Sequence, residues 1–316
     1  MDKLKAILKL FADTVAAFLQ DRATIYAAGL AYYTVFSLAP LMVFVLAVAG
    51  YFIGRSNASN QVVSQLQFVF GPQLSVFVED LVAAVNEQVN TRTLTLLSIG
   101  GLIIGASGIF NQLKNSLNIL WGIVVDRPSG WREWLHLIRS RAIPFLMVFV
   151  VGLLFSLSVM METIFSAVDY RLRPFFPELV DLLPLAQRVI IPALTLVTFT
   201  LVYKFLPDAW TRWRDAGLGA LLAAALFLVG RYVLAVFLAF QNTGSAFGAA
   251  GSLVVLLVWI FFSANLLLLG AVFIKVYTQR FGRPIRPARL AHFEGEPVIE
   301  EHHPSPFGVQ PDERIV

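Results

Sequence analysis

Long apolar runs, separated by short polar and basic segments, dominate the pattern of this chain. The first run, residues 23–54, contains no charged side chain. It exceeds the roughly 20 apolar residues that a helix needs to cross the hydrocarbon core of a bilayer. Its first part carries several hydroxyls, and Pro40 lies near its middle. We therefore predict an interfacial or re-entrant helix to about Tyr33, followed by a membrane span that is kinked at Pro40.

Five later apolar runs predict five more transmembrane helices. The six predicted spans cover approximately residues 30–54, 94–118, 142–161, 187–206, 216–240 and 251–274.

Three further segments flank or interrupt these spans. Residues 1–22 have apolar positions at helical spacing among charges, which predicts a cytoplasmic amphipathic helix lying on the membrane surface. Residues 55–92 show the same spacing but are broken by Gly71-Pro72, so we predict two amphipathic helices outside the membrane. Residues 282–316 are rich in proline and lack periodicity, which predicts a disordered cytoplasmic tail.

The composition indicates a polytopic membrane protein. Hydrophobic residues make up 58% of the 316 residues and charged residues 14%, against about 45–50% and about 25% in soluble domains. A soluble globule could not bury this much apolar surface. Lysines and arginines concentrate before the first span, in the second and fourth connecting loops and after the last span, which predicts both termini in the cytoplasm. The predicted fold class is therefore an all-α integral membrane protein with six transmembrane helices, N-in and C-in.

Patterns that would indicate catalysis are sparse. The chain has no cysteine, which excludes disulfides, zinc–thiolate sites and thiol catalysis. Its four histidines lie in a loop or in the tail, and no metalloprotease, nucleophile-elbow or phosphate-binding motif is present. We expect no catalytic residues, no metal ion, no cofactor and hence no enzyme.

Arg231 is the most unusual residue in the apolar runs. A guanidinium at mid-span costs roughly 2.5–3.5 kcal/mol on insertion scales, so it needs a partner or a hydrated cavity. The last two spans contain no acid. Two interpretations stay open. Either Arg231 lines a polar cavity and meets an anionic headgroup or substrate, or it reaches the outer interface or pairs structurally.

A polar helix face near the end of the second span is the other candidate. Three amides and one amine recur there at i, i+3, i+4 and i+7, the spacing of one helix face. Such a face either points into the interior or holds helices together at the headgroup level. The residues predicted to line a polar intramembrane cavity are Arg231, Asn111, Lys114, Asn115, Asn118, Asn265, Tyr32, Tyr33 and Ser37.

Several motifs resemble one family of membrane proteins. They are AYYTVFSLAPL at residues 31–41, LNILWG at 117–122, YKFLP at 203–207, FGAAGS at 247–252, LLVW at 256–259 and LGA at 269–271. Over roughly residues 10–282 the chain resembles the YihY/virulence factor BrkB family of bacterial inner-membrane proteins, formerly labelled ribonuclease BN. The resemblance implies a helical inner-membrane protein of about six spans. It also implies structural roles for Pro40, Trp121, Gly122, Pro207, Gly248, Gly251 and Gly270.

The chain departs from this family pattern at two positions. Val272 stands where the family usually has glutamate, and Phe247 where it usually has tyrosine. In the relatives, the resemblance implies an Arg–Glu pair across the last two spans. Because Val272 removes that acid, either Arg231 needs another counter-charge here or this member of the family has altered chemistry.

Two functions compete at this point. The first is transport or handling of a lipid or small amphiphile in a polar intramembrane cavity. The second is a non-transporting envelope scaffold that binds partners through residues 55–92. The former ribonuclease label has little support, because the sequence has no acid cluster for magnesium. We expect membrane lipids and either a second copy or an envelope partner, no nucleic acid, and a multi-pass location in the bacterial inner (plasma) membrane.

Overall fold

The structure is a computed structural model of the 316-residue chain. It describes residues 2–70, 82–83, 108–125, 131–172, 183–240, 249–281, 284–288 and 291–293. The helices are α1 (Asp2–Gln20), α2 (Ala23–Ile53), α3 (Arg55–Phe70), α4 (108–120), α5 (Trp131–Leu172), α6 (Leu183–Phe205), α7 (Trp213–Phe240) and α8 (Ala249–Phe281). The strands are β1 (Ile123–Val125), β2 (Ala209–Trp210), β3 (Arg286–Pro287) and β4 (Ala291–Phe293). The described part of the chain is thus mostly helical, as predicted, with four short strands that were not expected.

Helix α2 is bent where Pro40 was expected to bend it. Its two parts, Ala23–Leu38 and Leu41–Ile53, meet at 48°. Proline has no N–H to donate to the preceding turn, and its ring crowds the carbonyl four residues earlier. The helix runs without interruption past Tyr33, and its break falls beside Pro40. An interfacial or re-entrant position of the part before Tyr33 stays a prediction.

The described helices include two that are long and apolar enough to cross a membrane, within Trp213–Leu234 of α7 and Leu253–Phe281 of α8. The bent α2 becomes a third if its two parts form one span. Helices α5 and α6 contribute the shorter apolar stretches Phe149–Ser158 and Pro192–Phe205. Most of the predicted second span, 94–118, lies outside the described residues. The count of six spans and their orientation therefore stay predictions.

Helices α2 and α3 form a hairpin. Gly54 has a φ of 83°, a backbone conformation that favours glycine, and it turns the chain back onto α2. Ala58 and Val62 of α3 are fully buried in a cluster with Val45 of α2 and with residues of α8. Thus α3 packs against the helical body, while its predicted position outside the membrane stays a prediction.

A second core cluster joins the start of α2 to α4, α6, α7 and α8. Helices α7 and α8 cross closely in it because glycines face each other: a Cβ on Gly270 would lie 3.0 Å from the carbonyl oxygen of Gly219. It would also lie 2.4 Å from Oη of Tyr203. A side chain at position 270 would therefore clash at this crossing.

The same crossing fixes the register of α7 against α8. Gly230 packs against Phe262, whereas Gly219 packs against Ile274. Position 272 of α8 is thus level with about residue 219 of α7, twelve residues or about 18 Å from position 231 at 1.5 Å per residue. An acid at position 272 would lie too far from Arg231 for an ion pair, so in this fold Val272 does not remove its counter-charge.

Two short antiparallel strand pairs tie the end of the chain to earlier loops. Strand β4 pairs with β1, with His292 opposite Val124, and β3 pairs with β2, with Arg286 opposite Trp210. Strands β3 and β4 lie where we expected a tail without regular structure from residue 282. Residues 294–316 of that tail lie outside the described part of the chain.

Candidate functional site

A cavity of about 380 Å³ lies where the two core clusters meet. Six helices contribute to its wall, α2 and α4 to α8. Most of the lining is aliphatic or aromatic, with Leu30, Leu113, Phe155, Trp259 and Leu267 among the larger side chains. The cavity is therefore a largely apolar pocket between the helices, and it is partly open at the surface.

The hydroxyls in the cavity wall are largely engaged within their own helices. Thr34 donates to the carbonyl of Leu30 at 2.7 Å. Thr198 donates to Leu194 at 2.8 Å, and Ser263 donates to Trp259 at 2.9 Å. Since a hydroxyl has one proton to donate, these side chains retain only acceptor capacity for a ligand. The wall thus offers an incoming molecule few hydrogen bonds.

One side of the cavity is an aromatic wall. Phe199 and Phe227 meet edge-to-face with ring centroids 6.2 Å apart at 88°. Phe227 and Trp259 meet in the same way, 5.6 Å apart at 86°. Such edge-to-face pairs contribute about 0.5–1.5 kcal/mol beyond their buried area, so they hold the wall in one arrangement.

Next to the cavity helices, a buried polar junction joins α4 to the turn after α6. Lys114 and Asn118 lie one turn apart on α4, and both are at least nine-tenths buried. The Nζ of Lys114 lies 3.0 Å from Oδ2 of Asp208. Asn118 donates to the same oxygen at 2.9 Å and accepts from the backbone N–H of Asp208 at 2.9 Å. The junction satisfies its own charges, so it acts as a structural clamp.

Two further bonds fasten α4 and α6 to α8. The indole Nε1 of Trp121 donates to the carbonyl of Ala271 at 3.0 Å. The hydroxyl of Tyr203 donates to the carbonyl of Leu267 at 2.6 Å. Because Leu267 also lines the cavity, the bond from Tyr203 positions part of the cavity wall. Trp121 therefore has a clear structural role.

The remaining motif residues are also placed by the fold. Gly122 has a φ of 69° and allows the turn between α4 and β1. Pro207 is buried in the turn that carries Asp208, and Gly251 lies in the first turn of α8. Gly248 lies outside the described residues.

The predicted polar face of α4 is split by the fold. Lys114 and Asn118 are buried, whereas Asn111 and Asn115 are exposed together with Ile119, one turn further along. Lys114 and Asn118 therefore belong to the buried side of α4, and Asn111 and Asn115 to its exposed side. Only one pair can reach Asp208.

The other predicted cavity residues lie in separate places. Tyr32 and Tyr33 are exposed, and Ser37 is buried and donates to the carbonyl of Thr34 at 3.0 Å. Asn265 donates to Phe261 at 2.7 Å. It lies about 200° around α8 from both Ser263 and Leu267, hence away from the cavity. The side chain of Arg231 lies outside the described part.

None of the predicted residues with described side chains lines the cavity. Sequence reasoning missed Asp208 and the aromatic wall. Asp208 follows the YKFLP motif as an acid within a basic loop, which was an available signal. The wall residues carry no such signal, because Phe and Trp in an apolar run are equally expected to face lipid. In the described ranges, no group of three or more His, Asp or Glu residues could hold a metal ion.

A family model and several named relatives match most of this chain. The family model described as "Virulence factor BrkB" matches residues 14–292. A "UPF0761 membrane protein" of Aeromonas salmonicida is 28% identical over 265 residues, covering 80% of this chain and 83% of the relative. One of Tolumonas auensis is 29% identical, covering 80% of each chain. One of Mannheimia succiniciproducens is 26% identical, covering 83% of this chain and 87% of the relative.

These relatives are named as membrane proteins, and their names assign no catalytic activity. No solved structure matches the chain. Since the family model covers most of the sequence, the chain belongs to the virulence factor BrkB family of membrane proteins.

Proposed function

We propose that this protein binds and handles lipids or small amphiphiles inside the membrane, holding an apolar chain in the cavity between α2 and α4 to α8. The observation that carries this proposal is the cavity itself, with its volume of about 380 Å³ and its largely apolar lining. Small-molecule sites in proteins typically occupy roughly 300–1,000 Å³.

The lining suits an apolar chain better than a polar solute. A polar group that enters without hydrogen-bond partners loses roughly 2–7 kcal/mol of hydration, and the hydroxyls of Thr34, Thr198 and Ser263 already donate to backbone carbonyls. A hydrocarbon chain loses no hydrogen bond and supplies the dispersion contacts that an unfilled cavity lacks. Lipid tails in the bilayer are as apolar as this wall, so polarity does not distinguish the cavity from the surrounding lipid. The fit between the shape of the cavity and the hydrocarbon chain then decides which molecule binds.

Arg231 supplies the polar contact in this proposal. It follows Phe227 of the aromatic wall by four residues, so both positions lie on the same face of α7, one turn apart. Its neighbour Gly230 packs against Phe262, near the middle of a 20-residue span counted from Leu253. An anionic group on the amphiphile would meet the cation at this depth. In this proposal the polar cavity expected from the sequence is replaced by an apolar cavity, and Arg231 follows one of its wall residues by one helical turn.

The test is whether filling the cavity expels a bound lipid. Ala264 lines the cavity, and Ala264→Phe places a ring in it. Leu221→Phe is the matched control, because Leu221 lies on the exposed face of α7. Native mass spectrometry of the protein extracted in mild detergent should find a retained lipid on the natural chain and on Leu221→Phe, but not on Ala264→Phe. Equal retention by all three proteins would refute the cavity as the binding site.

Handling, as opposed to storage, requires movement of the lipid. Proteoliposomes of the natural chain should move a fluorescent lipid across the bilayer faster than protein-free liposomes, and Ala264→Phe should remove the difference. Equal rates with and without protein would contradict handling and favour the alternative function, a non-transporting envelope scaffold.

A multi-pass location in the bacterial inner (plasma) membrane is part of this proposal.

A further inference from the structure

Helix α1 carries an exposed apolar stripe. Four of its side chains recur every four residues and therefore lie along one side of the helix. With Leu8 beside them, they are 42–65% exposed: Ile7, Leu8, Phe11, Val15 and Leu19. Leu10 and Thr14, on another side of α1, are buried against the helical body. The stripe thus remains available after α1 has packed on its neighbours.

Three contacts hold α1 against the last turns of α8. Oδ2 of Asp13 lies 3.0 Å from Nη1 of Arg280, and Oδ2 of Asp21 lies 2.7 Å from Nζ of Lys275. The rings of Phe11 and Phe273 have centroids 6.0 Å apart. Helix α1 therefore has a fixed position relative to the end of α8.

The length of α8 places this contact at the membrane surface. The apolar helix runs from Leu253 to Phe281, and the hydrocarbon core accommodates about 20 residues of it. Counted from Leu253, the core ends near Val272. Lys275 and Arg280 then lie at the level of the lipid headgroups, and so does the helix that pairs with them.

The charges beside the stripe complement an anionic surface. Lys5 and Lys9 are exposed and one turn apart, and Lys5 precedes Leu8 of the stripe by three residues. Lysines at the edge of an interfacial apolar face can extend to phosphates while the apolar side chains enter the acyl region. We propose that α1 docks on an anionic lipid surface, with the stripe in the bilayer and Lys5 and Lys9 on the headgroups.

Single cysteines can test this docking without background, because the chain has no cysteine. Val15→Cys places a spin label on the stripe. Ala16→Cys, an exposed position 100° around α1, is the matched control. The full-length protein is placed in nanodiscs of phosphatidylcholine, with or without phosphatidylglycerol. Collision rates are measured with oxygen, which enters lipid, and with a water-soluble nickel chelate.

We expect the Val15 label to collide with oxygen and to be at least about fivefold more protected from the nickel chelate than the Ala16 label. Phosphatidylglycerol should increase this protection. In Lys5→Gln/Lys9→Gln the increase should disappear, since each lysine contributes about 1 kcal/mol, or about fivefold, at such a surface.

Three results would overturn the proposal. Equal exposure of both labels to the nickel chelate would show that the stripe faces water. Protection of the Val15 label from both reagents would show that protein, such as a second copy, covers the stripe. Protection of the Val15 label that does not depend on phosphatidylglycerol would show that α1 docks on lipid without preferring an anionic surface.

Discussion

Replacing Asp208 by asparagine removes one charge from the buried junction while keeping the shape of the side chain. The backbone N–H of residue 208 can still donate to Asn118, and the new amide oxygen can accept in place of the carboxylate. The change therefore isolates the 3.0 Å ion pair with Lys114. It tests whether the junction is a clamp for the fold.

The expected loss follows from burial. The side chains of Lys114 and Asp208 are only 9% and 14% exposed. Removing one partner of a buried ion pair costs about 3–5 kcal/mol, because the remaining charge loses its counter-charge in a medium of low dielectric constant. Since the junction retains some access to solvent, we expect Asp208→Asn to lower the free energy of unfolding by about 3 kcal/mol.

Removing both charges should cost less than removing one. In Lys114→Met/Asp208→Asn no charge remains buried, so this double variant should be more stable than Asp208→Asn alone. The coupling energy between the two positions should then be about 2 kcal/mol. A matched control is Asp13→Asn, which breaks an ion pair whose carboxylate is 44% exposed and should cost no more than about 1 kcal/mol.

The assay is unfolding by dodecyl sulfate in mixed micelles, followed by tryptophan fluorescence. Trp121 lies near the junction and reports on the packing of α4 against α8. The junction is not a coupled clamp if the free energy of unfolding of Asp208→Asn stays within about 0.5 kcal/mol of that of the natural chain. The same holds if the losses measured for Asp208→Asn and for Lys114→Met alone simply add in the double variant.

Two further changes test the packing of the fold. Gly270→Ala should destabilise the protein by about 1–3 kcal/mol in the same assay, because the new methyl group would meet Tyr203 and the backbone of Gly219 at the α7–α8 crossing; a neutral effect would mean that the helices cross less closely. Pro40→Ala should straighten the 48° bend of α2 and lengthen the distance between spin labels at positions 25 and 52 by about 3 Å, from a rise of 1.5 Å per residue; an unchanged distance would show that packing, not proline, sets the bend.

The sequence predicted those features of the fold that depend on local chemistry. Hydrophobic runs of sufficient length indicated α2, α7 and α8, because a helix must satisfy its own backbone in lipid. Pro40 indicated the bend for the same local reason. The strands β1 to β4 were missed, since each has only two or three residues and no periodicity can be recognised over such a length.

The candidate site was harder to predict, for two physical reasons. The polar spacing in α4 singled out Lys114 and Asn118 as cavity residues, whereas the fold places them in the buried junction, because Asp208, 90 residues away from Asn118, is brought there by tertiary packing. The residues that line the cavity form no recognisable pattern in the sequence. In a membrane protein the residues that face a cavity and the residues that face lipid are both apolar, so only the packed helices distinguish them.

The central claim, that an apolar chain occupies the cavity, is tested most directly at Trp259. Its ring lines the cavity and contacts Phe227, and bromine on a lipid chain quenches tryptophan fluorescence only at contact. A lipid brominated at mid-chain is titrated from zero to several equivalents into the purified protein in detergent, and the same titration is performed with Trp259→Phe and with Ala264→Phe.

We predict saturable quenching near one lipid per protein, with the quenched component absent from Trp259→Phe and abolished by Ala264→Phe. Quenching that rises without saturation, or that is the same in all three proteins, would place the lipid on the outer surface and contradict the account.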